Sequence, residues 1–294
     1  MSIEITPIIN EPALVVSSTT KTLVIADIHL GSEWDLYKSG FSIPSRMDQH
    51  IRRIHKYIEQ TTPDRIILLG DIKHNIPRIS WQERDEIPCF LESIAQHAPI
   101  DIFPGNHDGN IDFLLPGGVD ITLHSPRGAV LDGVGYFHGH TWPDPQLLGA
   151  KYIITAHNHP IIRFTDSLGY ATVEPVWIRT GLKCDVFAQH FRSIDFSRAG
   201  MWGDPKIFIM PAFNELCGGV AFNESLHDDL LGPVFSSEGF DLDNAKAYLL
   251  DGTNLGILKN LRRMEESKQR VSRKRGKGKE RKRVKKGNER VVKE

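Results

Sequence analysis

The chain has 294 residues, 40% of them apolar, a formal net charge of −1 and three cysteines. That apolar share supports a substantial buried core, and no apolar run approaches the roughly 18 residues a membrane span requires. Sparse cysteines without a CxxC pair exclude a disulfide scaffold and fit a reducing compartment. The opening MSIEITPIINEP has no basic stretch leading into an apolar core, so no secretory signal is predicted. The expectation is a soluble, cytoplasmic protein with no membrane partner.

In chain order, short β-branched runs bounded by turn residues predict strands over 22–26, 65–69, 100–103, 134–137, 151–155 and 206–210. A helix is predicted over 46–60, where Met47, Ile51, Ile54 and Ile58 share one face and Ser45 is the N-cap. A second helix is predicted to include 90–97, preceded by Pro88. After the last strand, PAFNELCGG closes the globular part. Residues 223–239 read as loop, and 244–269 as a helix or helical pair. The alternation predicts an α/β class, a layered sandwich with mixed sheets. The domain boundaries expected are a catalytic domain over 1–222, a partly helical appendage over 223–269 and a disordered basic tail over 270–294.

Charge follows that division. Residues 259–294 hold 17 of the 36 Lys and Arg but only 5 of the 37 Asp and Glu, so an acidic body precedes a basic end. Blocks of like charge are often interaction segments. A solvated solubility tail is one reading; nucleic-acid binding through counterion release is the favoured one.

Five polar clusters each follow a predicted strand. They are Asp27-Ile28-His29, Gly70-Asp71, Gly105-Asn106-His107-Asp108, His138-Gly139-His140 and His157-Asn158-His159. Sheets of this class place ligand sites at the C-terminal ends of their strands, so the five can converge. Any one alone reads as a surface turn. Carboxylates, imidazoles and an amide without thiolate suit divalent Mn, Fe or Zn, with Mn and Fe fitting the oxygen share better. Two such cations about 3.5–4 Å apart can clamp both oxygens of an in-line displacement at phosphorus.

The series D-x-H, G-D, G-N-H-D, H-G and H-x-H-P resembles the calcineurin-like metallophosphoesterase superfamily. GDIKHNI and PAFNELCGG look more narrowly like the small Mre11/SbcD-related phosphoesterases, archaeal proteins and bacterial relatives associated with DNA ligase and helicase genes. The resemblance covers roughly Leu23 to Gly219. It departs from the family at Ala156, where Gly is usual, and in the Ile-Lys-His run after Asp71.

That resemblance implies an α/β/β/α sandwich and a two-metal phosphodiesterase or nuclease, with DNA-repair proteins as partners. Asp27, His29 and His159 would hold one metal; Asn106, His138 and His157 the other; Asp71 would bridge. His107 would be the general acid, oriented by Asp108. Lys73, His74 and His140 are candidate substrate contacts, each equally readable as a loop residue. Asn214, in a turn after a strand, reads as a plain turn residue, with a place bordering the site as the alternative. Trp34, Tyr37 and Phe41 are expected to pack their loop, with nucleobase stacking as the alternative. Rival functions are hydrolysis of a small phosphate ester or nucleotide, and a non-catalytic scaffold.

Overall fold

In the computed structural model, residues 2–166, 169–196, 201–224, 229–265 and 267 are described. The basic stretch from Val271 onward, predicted to be disordered, lies outside them. Every predicted strand is present, within a residue of its expected bounds, because each is a short aliphatic run that buries nearly all its side chains.

The first sheet is β1 (Glu4–Pro7), β2 (Ala13–Ser17), β3 (Lys21–Ile25), β4 (Arg65–Leu68), β5 (Ile100–Ile102) and β6 (Ile121–Leu123), side by side in that order. β1, β2 and β3 run antiparallel, and β3 through β6 are parallel. The second sheet draws on β7 (Ala129–Leu131), β8 (Val134–Tyr136), β9 (Tyr152–Thr155), β10 (Pro160–Thr165), β11 (Ala171–Thr180), β12 (Lys206–Ile209) and β13 (Val220–Ala221). Its order is β13-β10-β11-β12-β9-β8-β7, and a hairpin of β14 (Lys246–Leu249) and β15 (Asn254–Ile257) joins along β11.

Helices α1 (Glu33–Lys38), α2 (Met47–Thr61) and α3 (Trp81–Ala95) follow the first-sheet strands. Ile54, Tyr57 and Ile58 of α2 and Ile87, Phe90 and Ile94 of α3 pack on Leu23, Ile25, Ile66 and Leu68. Between the sheets, Val24, Ile67 and Phe103 meet Tyr136, Ile154, Trp177 and Phe208. On the far face of the second sheet, Ile153, Ile178 and Ile207 are covered by α4 (Cys184–His190), α5 (Pro233–Ser236) and α6 (258–265) through Phe187, Phe235 and Leu258. The layers are therefore α/β/β/α, as expected. No described helix is long and apolar enough to cross a membrane.

Three local expectations are corrected. The N-cap of α2 is Arg46, while the Ser45 hydroxyl accepts from the Met47 N–H at 3.1 Å, one position further out. Helix α3 begins at Trp81, well before Phe90, and Pro88 lies inside it. A capping box sets that start: Ser80 accepts from the Glu83 N–H while Glu83 accepts from the Ser80 N–H. Residues 246–257 form a hairpin instead of a helix; among the described residues of that stretch, 258–265 and 267 are helical. Pairing of β14 to β11 and burial of Ala247 outweigh local helical character. The segment after 222, read as an appendage, contributes Phe235, Phe240 and Leu242 to the second-sheet core.

Candidate metal centre

The chain turns sharply after β3, β4 and β9, and backbone hydrogen bonds lock the turns together. Asp27 N–H donates to the Gly70 carbonyl at 3.1 Å, and His29 N–H to that of Asp71 at 2.8 Å. Across the second sheet, the Ala156 N–H donates to the His138 carbonyl at 2.8 Å. Five predicted ligands pay no heed to ordinary backbone preference: Asp27, His29, Asp71, His157 and His159 have φ of 56°, 47°, 49°, 78° and 44°. Such left-handed geometry costs a non-glycine residue about 1–3 kcal/mol and persists only where surroundings impose it. Here it points successive side chains into one crevice.

Two glycines make room. Gly70 has φ 82°, and a Cβ there would stand inside the His138 ring. A Cβ on Gly105 would overlap the Asp71 carboxylate.

The convergent donors form two groups that share Asp71. Donor atoms of Asp27, His29, Asp71 and His159 all lie within 4.8 Å of one another, as do those of Asp71, His138 and His157. The Asp71 Oδ2 is 3.6 Å from His29 Nε2 and 3.7 Å from His138 Nε2. Asp27 Oδ1 lies 2.8 Å from His138 Nε2 and 3.5 Å from His159 Nε2. Asp27 and His138 are wholly shielded from solvent. A third set brings His29, His74 and His107 together at the edge.

Packing these groups together perturbs them strongly. Burial would raise the Asp27 carboxyl, but His159 and the hydrogen-bonded His138 hold it well below the usual carboxylate range. Burial lowers the His138 imidazole, yet Asp71 and Asp27 outweigh it and lift its pKa to about 9. Burial and neighbouring His159 keep His29 well below its ordinary value. Burial, with His138 beside it, drives His157 down to about 3, the neutral form that ligates metal.

The residues fit a divalent metal site on their own geometry. The His157 Nδ1 is buried without a hydrogen-bond partner among the described residues, an orphan that a cation would satisfy. His29 Nε2 and His159 Nε2 face each other at 3.3 Å, two lone-pair donors turned toward one spot. Carboxylate and imidazole donors without thiolate match the expected metal class.

The Asp108 expectation is corrected. Its Oδ1 accepts from the Ile72 and Lys73 N–H groups at 2.8 and 3.2 Å, and its Oδ2 from the Gly105 N–H at 2.8 Å. It therefore ties the loop after β4 to the loop after β5 and does not orient the His107 ring. Burial, then Asp71, raises its pKa to about 6. His107 stands at the edge, half-buried, with its Nδ1 against the His74 carbonyl and its N–H donating to Asp71 Oδ1 at 2.8 Å. Asn106 precedes it on the same loop with its side chain exposed.

Lys73 is corrected too: it is completely buried, and its ammonium donates to the Asn75 carbonyl under the loop, out of reach of a substrate phosphate. His74 stays at the rim, its Nε2 2.8 Å from Asp35 Oδ2 and its ring stacked on that of His107. His140 Nδ1 lies 3.2 Å from His138 Nδ1, behind the centre, and burial lowers its pKa to about 4. Trp34, Tyr37 and Phe41, expected to pack, are 45%, 57% and 66% exposed.

Asn214 was read as a turn residue and does more. Its buried Nδ2 donates to the Ile28 carbonyl and the Ser32 hydroxyl, each at 3.0 Å, fastening the loop after β12 to the first motif. The signal in the sequence is its place in PAFNELCGG, directly after a strand.

No protein-family model matches the chain, and no curated protein does. Among solved structures, the chain is similar to the nuclease MPE of Pseudomonas putida, at 16% identity and a TM-score of 0.48 over 86% of this chain and 100% of that one. It is also similar to YfcE, a phosphoesterase from E. coli, at 17% identity and a TM-score of 0.30 over 49% of this chain and 73% of that one.

Proposed function

We propose that this protein is a metal-dependent phosphoesterase that hydrolyses phosphodiester bonds, with nucleic acid as substrate. The observation that carries the reading is Asp71, whose carboxylate belongs to both donor groups, the ligand atoms of each group lying within 4.8 Å of one another. Asp27, His29 and His159 would hold one cation, and His138 and His157, with Asn106, the other. Mn is the preferred metal, with Fe and Zn compatible. The chemistry that two divalent cations supply there is charge neutralisation at phosphorus and a water made acidic enough to attack.

The chain's own residues do the rest. The His74 carbonyl can only accept, so the Nδ1 of His107 carries a proton and the ring is held in one orientation. Its Nε2 is then the atom that gives a proton to the departing oxygen. Asp108 keeps the loop bearing His107 at a fixed height over Asp71 through three backbone hydrogen bonds. The basic end of the chain would raise the local concentration of a polyanion beside an otherwise acidic body. A cytoplasmic role alongside DNA-repair proteins is part of the same proposal.

The test uses metal-stripped protein with Mn restored, assayed on bis-p-nitrophenyl phosphate and on labelled single-stranded DNA, with His107→Ala alongside. Metal-dependent cleavage of the diester, lost in the variant, is the expected result. Failure on both substrates across Mn, Fe and Zn sinks the catalytic reading.

A further inference from the structure

Beside the metal centre, the structure leaves a set of large rings in water. Of sixteen large hydrophobic side chains exposed among the described residues, six lie on the two segments that border His74: Trp34, Tyr37, Phe41, Ile43, Ile76 and Trp81. A surface usually scatters such residues singly, and a concentration of them marks a contact site.

Helix α1 arranges the rings and ties them to the centre. Trp34 and Tyr37, three residues apart, share one face, and their rings stack with centroids 5.2 Å apart and planes 18° off parallel. Asp35 and Lys38 share the adjacent face and pair at 2.9 Å. The other oxygen of Asp35 binds His74 Nε2 at 2.8 Å, and the His74 ring stacks on His107 at 5.7 Å between centroids. Lys38 also lies 5.8 Å from the centroid of the Trp34 ring. The buried Glu33 anchors the segment by accepting the Arg46 N–H at 2.7 Å. The aromatic face is thus one hydrogen bond away from the ring that borders the general-acid position.

We infer that Trp34, Tyr37 and Phe41 form a base-stacking platform for the unpaired nucleoside next to the scissile phosphate of a single-stranded nucleic acid. The inference rests on the phosphodiesterase reading above and names the substrate class of that same site. Flat rings accept any base by stacking, without hydrogen-bond readout. A base within a duplex has both faces covered by its neighbours, so only an unpaired one can use the platform. The pairing of Asp35 with Lys38 offsets the negative charge that would repel the adjoining phosphate. A lipid surface would be served by a contiguous aliphatic patch, whereas here ion-paired groups lie between the rings and the site.

The experiment compares the full chain, Mn-loaded, with Trp34→Ala/Tyr37→Ala and with Trp34→Phe. The substrates are single-stranded oligothymidylate, the same backbone with abasic sugars, and bis-p-nitrophenyl phosphate. Binding of the fluorescein-labelled oligonucleotide to each protein is measured in parallel, as is binding to phosphatidylcholine–phosphatidylserine vesicles. The double variant should lower the oligothymidylate-to-small-diester ratio of kcat/KM roughly tenfold, mainly through KM, and weaken binding by a similar factor. Trp34→Phe should restore most of both, and the abasic strand should no longer distinguish the proteins. An unchanged ratio and affinity overturn the platform, as does a loss of vesicle binding without a loss of oligonucleotide binding. If wild type cleaves the small diester and neither cleaves nor binds the oligonucleotide, the phosphoesterase stands and the platform falls. If nothing is cleaved but oligonucleotide binding falls in the double variant and returns in Trp34→Phe, the platform stands and the catalytic reading falls.

Discussion

The ring of His107 stacks on that of His74, with planes 26° from parallel, while its Nδ1 meets the His74 backbone carbonyl. A carbonyl anchors the tautomer of the proposed general acid without adding a second charge beside a centre rich in carboxylates. His74 is itself fixed by Asp35, which places helix α1 and two loops in one chain of contact.

His107 and Asp108 should therefore fail differently. His107→Ala removes a half-buried ring and should lower kcat on bis-p-nitrophenyl phosphate by roughly 100- to 10,000-fold with little change in melting temperature. Asp108→Ala leaves three backbone donors without their acceptor and should cost on the order of 3 kcal/mol of stability as well as activity. Equal stability losses in the two variants, by urea titration, would restore a simple dyad.

Gly105→Ala places a methyl group against the Asp71 carboxylate. The expected outcome is loss of Mn binding by calorimetry together with a stability loss on the order of 1–3 kcal/mol. Gly109, which opens into space, is the control: Gly109→Ala should leave both close to wild type.

Metal should stabilise the fold measurably. Stripped protein holds the buried Asp27 and Asp71 carboxylates close together in the crevice, a repulsion that a cation relieves. Adding Mn at about a hundredfold over its dissociation constant should contribute about 2.7 kcal/mol, visible as a rise in Tm that depends on metal concentration. In Asp71→Asn that rise should shrink sharply.

His50 predicts part of the acid limb of stability. It is 2% exposed with Nε2 unpartnered among the described residues, and burial, then Arg46 and Arg53, lowers its pKa from 6.5 to about 4. The unfolded chain takes up a proton near 6.5 and the folded protein only near 4, so stability falls as pH drops through that window. The contribution lost is on the order of 3 kcal/mol. His50→Phe should flatten the dependence of unfolding free energy on pH between 6.5 and 4; an unchanged slope counts against it.

The convergence of these donor residues is legible because they sit directly after aliphatic strands, a pattern of residue types that survives without any knowledge of packing. Lys73 and Asp108 were misread because sequence proximity to Asp71 and His107 says nothing about direction. One left-handed residue at Asp71 turns Lys73 beneath the loop, and the tight Gly105 turn folds Asp108 back on the backbone. The hairpin at 246–257 is illegible for another reason: its strands are four residues each, β14 owes its form to β11, about seventy residues earlier, and β15 pairs with β14. Helix α3 was shortened in the reading because Pro88 is a stop signal locally, while the Ser80–Glu83 box upstream had already committed the helix.

The donor set is drawn from both sheets: Asp27 and Asp71 follow strands of the first, His138 and His157 strands of the second. Neither half of the chain can therefore complete the donor set by itself. During synthesis, a nascent chain that has not yet emitted His159 lacks the full chelate, and one that has must still dock its two halves through Tyr136, Phe103 and their neighbours. Assembly of the donor set is thus a late event of folding, complete only when residues more than a hundred positions apart in sequence have been brought onto one crevice.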